Sequence, residues 1–485
     1  MSLFKNNAWY VFISSFLIRL NYSFLSDNYF YGGDIFSRLR IAYNNSFWQI
    51  FTSQVDWQPG HMMLLKLIAV VFNDYVFAPR LLGIFCDAGS IAYIFLIAKY
   101  LFDQRVAFAT ALITGTYFLS IQFSVLTLSG PVYTFFVLVS TYHLMTIKED
   151  LSYKNFIIPF WAIFMAEWIR SEAWIFAFII GLCLIYKKFK YKVVLSYAII
   201  TIIPIVIFLY VGYEVTGDIF RFINYSDYEL NGAIKFNTAF NYTNYIKRAL
   251  RMFPLPTLIT GTLGFILFFN RKRKVVWIIP SLVVSIAVFY KLFNLTLAND
   301  PRYFILSSMW FVLMSFGLVK MCFNEEKQIK IYTLFGAVIL ISNIWQVKEF
   351  RRDEIPEHPS QFSGAQRKLF AFLYEYNNES RTYFLDNGKN FLQNALPYMT
   401  GIDSQQIKCV SPEAYWIGKK LDQKQFDQCL AKDKKINSII TFPFVDRMYG
   451  DLGKMIRGKE VKKRIKELGF KLIYDHNGYK IWAKD

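Results

Sequence analysis

Apolar runs of membrane-spanning length alternate along this chain with two long polar-aromatic loops, 26–58 and 214–254. Ile199 to Tyr213, Val275 to Phe293 and Tyr303 to Val319 each approach the roughly 20 apolar residues needed to cross a hydrocarbon core. A soluble core does not fit this pattern, because the remaining polar residues cannot wrap so many nearly charge-free runs. The expected fold class is an all-α polytopic membrane bundle of about eleven helices over 1–350, followed by a small α/β domain over 351–485.

From about Asp353 charged residues rise, and Arg381 to Leu385 and Ile436 to Phe442 read as short strands. Val461 to Leu468 has helical character. Phe470 to Tyr474 and Tyr479 to Trp482 flank Asn477-Gly478, a hairpin signal. Cys409 and Cys429 are the two cysteines of this region, and an oxidising compartment would permit them to pair. Met1 to Leu25 begins like a secretory signal, but no small-residue cleavage site follows. We read it as a first membrane helix that is kept.

The chain is 55% hydrophobic, 19% aromatic and 18% charged, with a formal net charge of +19. The basic residues do not form a nucleic-acid-binding stripe; they gather in short loops between apolar runs. The densest are 187–192 (Lys-Lys-Phe-Lys-Tyr-Lys) and 271–274 (Arg-Lys-Arg-Lys), which the positive-inside bias places in the cytoplasm. Counting crossings from them puts 214–254, 298–302 and everything after Phe350 outside. With the N-terminus inside, 26–58 is outside too, provided that 156–186 crosses once. Glu167, Arg170 and Glu172 interrupt that segment, so a kinked helix and two half-helices are both compatible with it.

Candidate chemistry falls on the outer side of this count. Asp34 follows Gly32-Gly33 and precedes Ile35 to Tyr43, whose apolar spacing predicts a surface helix with Arg38 and Arg40 toward lipid headgroups. The helix start and Arg38 would both hold Asp34 ionised, as a cap, a proton acceptor or both. The chain re-enters the membrane at Trp57-Gln58-Pro59-Gly60, which brings His61 within reach of an external cavity. Lys247, Arg248 and Arg251 are cations beside a membrane on the unfavoured side, which suits an anionic partner, whether a ligand phosphate or lipid headgroups. Arg302 and Tyr303 follow Asp300-Pro301 at a helix start, a ready phosphate site. Arg170 and Glu172, deep in an apolar segment, should face the protein interior or a cavity, pairing with each other or with Glu167. No metal-ligand spacing, glycine-rich phosphate loop or nucleophile-elbow serine is present.

Four of these elements together resemble the GT-C superfamily of integral-membrane glycosyltransferases, near the bacterial relatives of protein O-mannosyltransferases and of the lipid A aminoarabinose transferase. They are Gly33-Asp34 with its aromatic-basic helix, Trp57 to Leu65, Ile169 to Trp174, and Asp300 to Tyr303. Two positions depart from the pattern. Ile35 stands where those enzymes usually carry a second acidic residue, and Leu128-Ser129-Gly130-Pro131 stands where relatives often have one. The resemblance implies an enzyme of the bacterial inner membrane whose active site lies on the extracytoplasmic face. Its donor would be a sugar on polyprenyl phosphate; its acceptor a hydroxyl on lipid, glycan or protein. Asp34 would be the base. Arg302, Lys247, Arg248, Arg251 and Arg38 would hold the donor phosphate, with Arg170, Glu172, His61 and Tyr303 shaping the site. No cofactor is implied, and a divalent metal is left open. The competing readings are an oligosaccharyl transferase or ligase, and a lipid or solute transporter or flippase.

Overall fold

A computed structural model describes residues 7–25, 38–39, 41–43, 45–53, 57–74, 77–147, 153–219, 255–269, 276–293, 304–354 and 364–377. Beyond these it describes 381, 383–386, 407–410, 436–441, 465–476 and 479–484. The chain divides into two compact units. One comprises 1–26, 41–230 and 239–351; the other, 352–485 with the stretches 27–40 and 231–238.

The first unit is a helical bundle. Its elements are α1 (Ala8–Leu25), α2 (Phe47–Ser53), α3 (Pro59–Phe72), α4 (Ala78–Leu101), α5 (Gln104–Gly115), α6 (Phe118–Ser124) and α7 (Ser129–Thr146). Next come α8 (Ile157–Ile169), α9 (Glu172–Tyr186), α10 (Tyr191–Thr216), α11 (Leu255–Phe269), α12 (Ile279–Phe293), α13 (Ile305–Cys322) and α14 (Glu325–Glu354). By length and hydropathy α4, α10 and α13 can each cross a membrane, and α5 with α6, bent by 62°, makes a further candidate. Ile199, Ile202, Val206 and Tyr210 of α10 are exposed, as lipid-facing residues are. In contrast, α13 is buried along nearly its whole length and packs against α11 at very close range. A Cβ on Gly264 would come within 2.2 Å of the Met314 carbonyl oxygen, so this crossing requires glycine.

Contacts between helix ends assign each end to one of two levels. At one level the Phe156, Phe189 and Trp277 rings pack in sequence, and Phe102 packs on Phe268. This level carries the basic loop 187–192. Here Lys320 meets Asp103, the N-cap of α5, at 2.8 Å. Burial pushes the Asp103 carboxyl up, but Lys320 and the Val106 amide outweigh it and hold it below the usual carboxylate range. At the other level Phe77 stacks on Phe24, and Gly83 lies against the Ser124 carbonyl. Gly60 abuts Trp168, and Arg170 reaches Ser129.

This arrangement corrects two expectations. Segment 156–186 is two helices, α8 and α9, broken at Arg170-Ser171, where Arg170 is extended (φ −152, ψ 140). Because α8 starts and α9 ends beside each other at the basic level, the segment runs across and returns instead of crossing once. Conversely, α3 both begins (Gly60) and ends (just before Phe77) at the opposite level. The chain therefore does not dive back in at Trp57 to Gly60. Instead α3 lies along that end, with Leu67, Val70, Val71 and Phe72 exposed. The two changes offset for the end of α1 and for α2, which keep their side relative to 187–192, whereas the short connections between α3 and α8 change sides.

The second unit carries α15 (Gly364–Tyr376) and a five-stranded sheet in the order β2-β1-β3-β5-β4. The strands are β1 (Tyr383–Asp386), β2 (Ile407–Val410), β3 (Ser438–Thr441), β4 (Lys471–His476) and β5 (Tyr479–Ala483). The first three are parallel; β5 pairs antiparallel with β3 and with β4. The β4–β5 pair is the hairpin expected around Asn477-Gly478. Ile436, Ile439, Ile465, Phe470 and Trp482 form its core. Strand β2 was not read from the sequence. Cys409 stands in it, and Cys429 lies outside the described residues.

The hairpin arrangement of α8 and α9 has a direct test. In intact cells or sealed vesicles, a cysteine replacing Ser171 should react with an impermeant maleimide from the side opposite to one replacing Lys188. Labelling of both from the same side would restore the single crossing.

Candidate functional site

The charged groups in the break between α8 and α9 are brought together. The Arg170 amide donates to the Ala166 carbonyl at 2.9 Å, ending α8, and the Ala173 amide donates to the Arg170 carbonyl at 3.1 Å. Between these bonds the Arg170 backbone is extended. Glu172 occupies the first turn of α9, where a carboxylate complements the helix dipole. The guanidinium grips this carboxylate with two nitrogens: Nε donates to Oε2 at 3.0 Å and Nη2 donates to Oε1. Nη1 reaches the Ser129 hydroxyl at 3.5 Å, and the group lies 5.9 Å from the centre of the Tyr133 ring. Mutual pairing is thus the observed solution. Glu167, one turn earlier, is 1% exposed, and among the described residues neither carboxylate oxygen has a hydrogen-bond partner.

Arg170 and Glu172 line a small cleft with Gly130, Tyr133 and Thr134 of α7, Val284 and Val288 of α12, and Leu306 and Ser307 of α13. It offers about 20 Å3, room for a water molecule. The cleft therefore offers a set of polar groups at the N-termini of two helices, one of which begins at Ser129-Gly130. Ser307 donates to Ser285 at 2.7 Å, so this wall is polar although it is built from apolar helices. The α12–α13 wall escaped sequence reasoning, and the α7 start, which holds no charge, stood out only as a departure from the family pattern at Leu128 to Pro131. A serine in an apolar run gives no distinguishable signal.

Other expected site residues fall differently. His61 is fully buried in the first turn of α3 and does not line this cleft, so the expected reach into an external cavity is not observed. Its burial follows from the close approach of neighbouring Gly60 to Trp168. Arg38 is helical, as are Leu39 and 41–43, but it is 7% exposed, which overturns the placement of its side chain toward headgroups. Asp34, Arg40, Lys247, Arg248, Arg251, Arg302 and Tyr303 lie outside the described residues. Among the described residues no group of three or more His, Cys, Asp or Glu is arranged to hold a metal ion.

One further ionic cluster was missed. Arg19 of α1 and Asp87 of α4, both with fully buried side chains, pair at 2.5 Å. A signal was available, since Arg19 is the single charge of α1 and Asp87 the single acidic residue of α4, both apolar helices.

The fold is a helical bundle with polar helix ends gathered at one level, together with an α/β unit formed by C-terminal residues. Among solved structures, the chain is similar to ArnT from Cupriavidus metallidurans in the apo state. The two are 10% identical, with a TM-score of 0.61 over 98% of this chain and 97% of that one. The same protein bound to undecaprenyl phosphate gives a TM-score of 0.55 at 11% identity, covering 98% of each chain. The Archaeoglobus fulgidus oligosaccharyltransferase in complex with Zn and sulfate gives 0.57 at 13% identity, covering 98% of this chain and 73% of that one. No family model matches the sequence, and no curated protein does. The GT-C fold expected from the short motifs is therefore present over essentially the whole chain.

The Arg170–Glu172 pair should behave as one unit. In a double-mutant cycle of Arg170→Gln and Glu172→Gln, thermal stability should show coupling of about 1–3 kcal/mol, as expected for groups in contact. Additive effects would mean that the two side chains act independently.

Proposed function

We propose that this protein transfers a sugar from a polyprenyl-phosphate donor to an acceptor hydroxyl at the membrane face opposite its basic loops. One observation carries the reading: the whole-chain GT-C fold, shared with a transferase whose structure has been determined with undecaprenyl phosphate bound. Coverage of that neighbour is nearly complete, whereas the oligosaccharyltransferase has a quarter of its length unmatched. The polar cleft at Arg170 and Glu172 supports a site at the end where loops 26–58 and 214–254 leave the bundle.

The chemistry asks for two things. The bond from the sugar's anomeric carbon to phosphate oxygen breaks, and the leaving polyprenyl phosphate gains negative charge. Arg302, Lys247, Arg248 and Arg251 supply cations for that charge, in a cleft partly shielded from water. Arg38 joins this set in the proposal as a buried cation of the first loop. The acceptor oxygen forms a bond to the anomeric carbon as its proton passes to Asp34, whose carboxylate needs only to reach that hydroxyl. Arg170, held by Glu172, shapes the wall of the cleft, and Tyr303 shapes the site in this proposal, while His61, fully buried, acts in packing. The extracytoplasmic face of a bacterial inner membrane is the proposed location.

Asp34→Asn separates a base from a cap, since asparagine caps helices about as well as aspartate. With purified protein and a panel of polyprenyl-phosphate sugars, the variant should stay folded and lose about 100-fold or more in turnover. Arg302→Ala should weaken donor binding as well as turnover. Wild-type transfer by Asp34→Asn at matched thermal stability would refute the base assignment. Vectorial movement of a substrate without sugar transfer by the wild type would instead support a transporter.

A further inference from the structure

The buried pair Arg19–Asp87 does not touch the cleft, yet its hydrogen bonds converge on one place: the bend between α5 and α6. Arg19 Nη1 donates to the Gly115 carbonyl at 3.2 Å, the last residue of α5, and to the Ser15 hydroxyl and carbonyl at 2.7 and 3.1 Å. Asp87 accepts from the Ser120 hydroxyl of α6, 2.9 Å from each of its oxygens. One ion pair thus holds both sides of the 62° bend against α1 and α4. The bend itself arises in Thr114-Gly115-Thr116, where Thr114 and Thr116 turn their hydroxyls back to the Thr110 and Leu112 carbonyls.

The bend directs the chain toward the cleft. From Ser120 the chain runs four residues to Ser124, whose carbonyl is fixed against Gly83; a Cβ there would approach to 2.2 Å. It then turns through Thr127, in the left-handed region at φ 50, and begins α7 at Ser129. Ser129 meets Arg170, while Gly130, Tyr133 and Thr134 form one wall of the cleft. The bend therefore sets where that wall starts.

We propose that Arg19 and Asp87 are positioning residues of the site: the ion pair fixes the α5–α6 bend, and the bend places the start of α7 against Arg170. A stability role alone does not require this pair, because replacing a buried ion pair by apolar residues of similar volume is often neutral or stabilising. What apolar residues cannot replace is the pair of bonds to Gly115 and Ser120. The catalytic half of this inference rests on the glycosyl-transfer reading; the structural half does not.

The test uses the full-length protein in detergent or nanodiscs. In Arg19→Met/Asp87→Leu, melting should remain within a few degrees of wild type. Backbone amides of 116–132 should exchange with deuterium at least tenfold faster, and sugar-transfer kcat should fall at least tenfold. Ser120→Ala, a milder change that leaves the ion pair intact, should speed exchange in the same segment at least threefold. Wild-type exchange across 116–132 in a folded double variant would overturn the proposal. If the double variant does not fold, unchanged exchange in Ser120→Ala overturns it. Faster exchange with unaltered kcat overturns the link to the site. Should wild type show no sugar transfer at all, the functional reading fails, while the exchange measurements still decide the positioning of α7.

Discussion

A charge carried into a bundle of apolar helices is stable there only when a partner neutralises it and its remaining hydrogen-bonding groups are met. Two pairs answer this demand in different ways, the first leaving Arg19 Nη2 buried without a hydrogen-bond partner among the described residues. Arg19 and Asp87 have no exposed side-chain surface and spend their remaining bonds on backbone and serine groups of a bent helix. Arg170 and Glu172 keep 12% and 24% of their side-chain surface and border a cleft. The first pair has become part of the frame. The second borders a cleft and keeps part of its surface open, which is the difference in burial between them.

Most of the frame was legible because it follows from hydropathy and basic loops, which report directly on the cost of moving groups into hydrocarbon. The hairpin β4–β5 was legible through Asn477-Gly478 for an equally local reason. What misled was length. Residues 59–72 are apolar enough to suggest a crossing, and α8 and α9, with 13 and 15 residues, are each short of one. Period and composition cannot tell a helix lying on a membrane from one entering it. That distinction comes from tertiary contacts such as Gly60 against Trp168 and Phe77 on Phe24.

The site was legible in its charges and illegible in its walls. Arg170 and Glu172 stood out as ionisable groups in an apolar segment, and Arg19 and Asp87 carried the same signal. Ser129, Gly130, Tyr133 and Ser307 carried none, since small and aromatic residues are ordinary in membrane helices. His61 and Arg38 show the converse: a residue type suited to chemistry sits fully or nearly buried.

The distribution of helix ends then gives these features a common cause. At the level of loop 187–192 the termini are covered by aromatic rings and by the Lys320–Asp103 tie. At the other level helices are interrupted: α8 gives way to α9, and α6 gives way to α7, leaving α7 and α9 to start beside one another. An interrupted helix exposes backbone amides that have no partner within it, and such amides at a helix start favour negative charge. Arg170 adds a cation where these starts meet, yet Glu172 already neutralises it. Arg170 and Glu172 together therefore bring no net charge to the place where these helix starts meet.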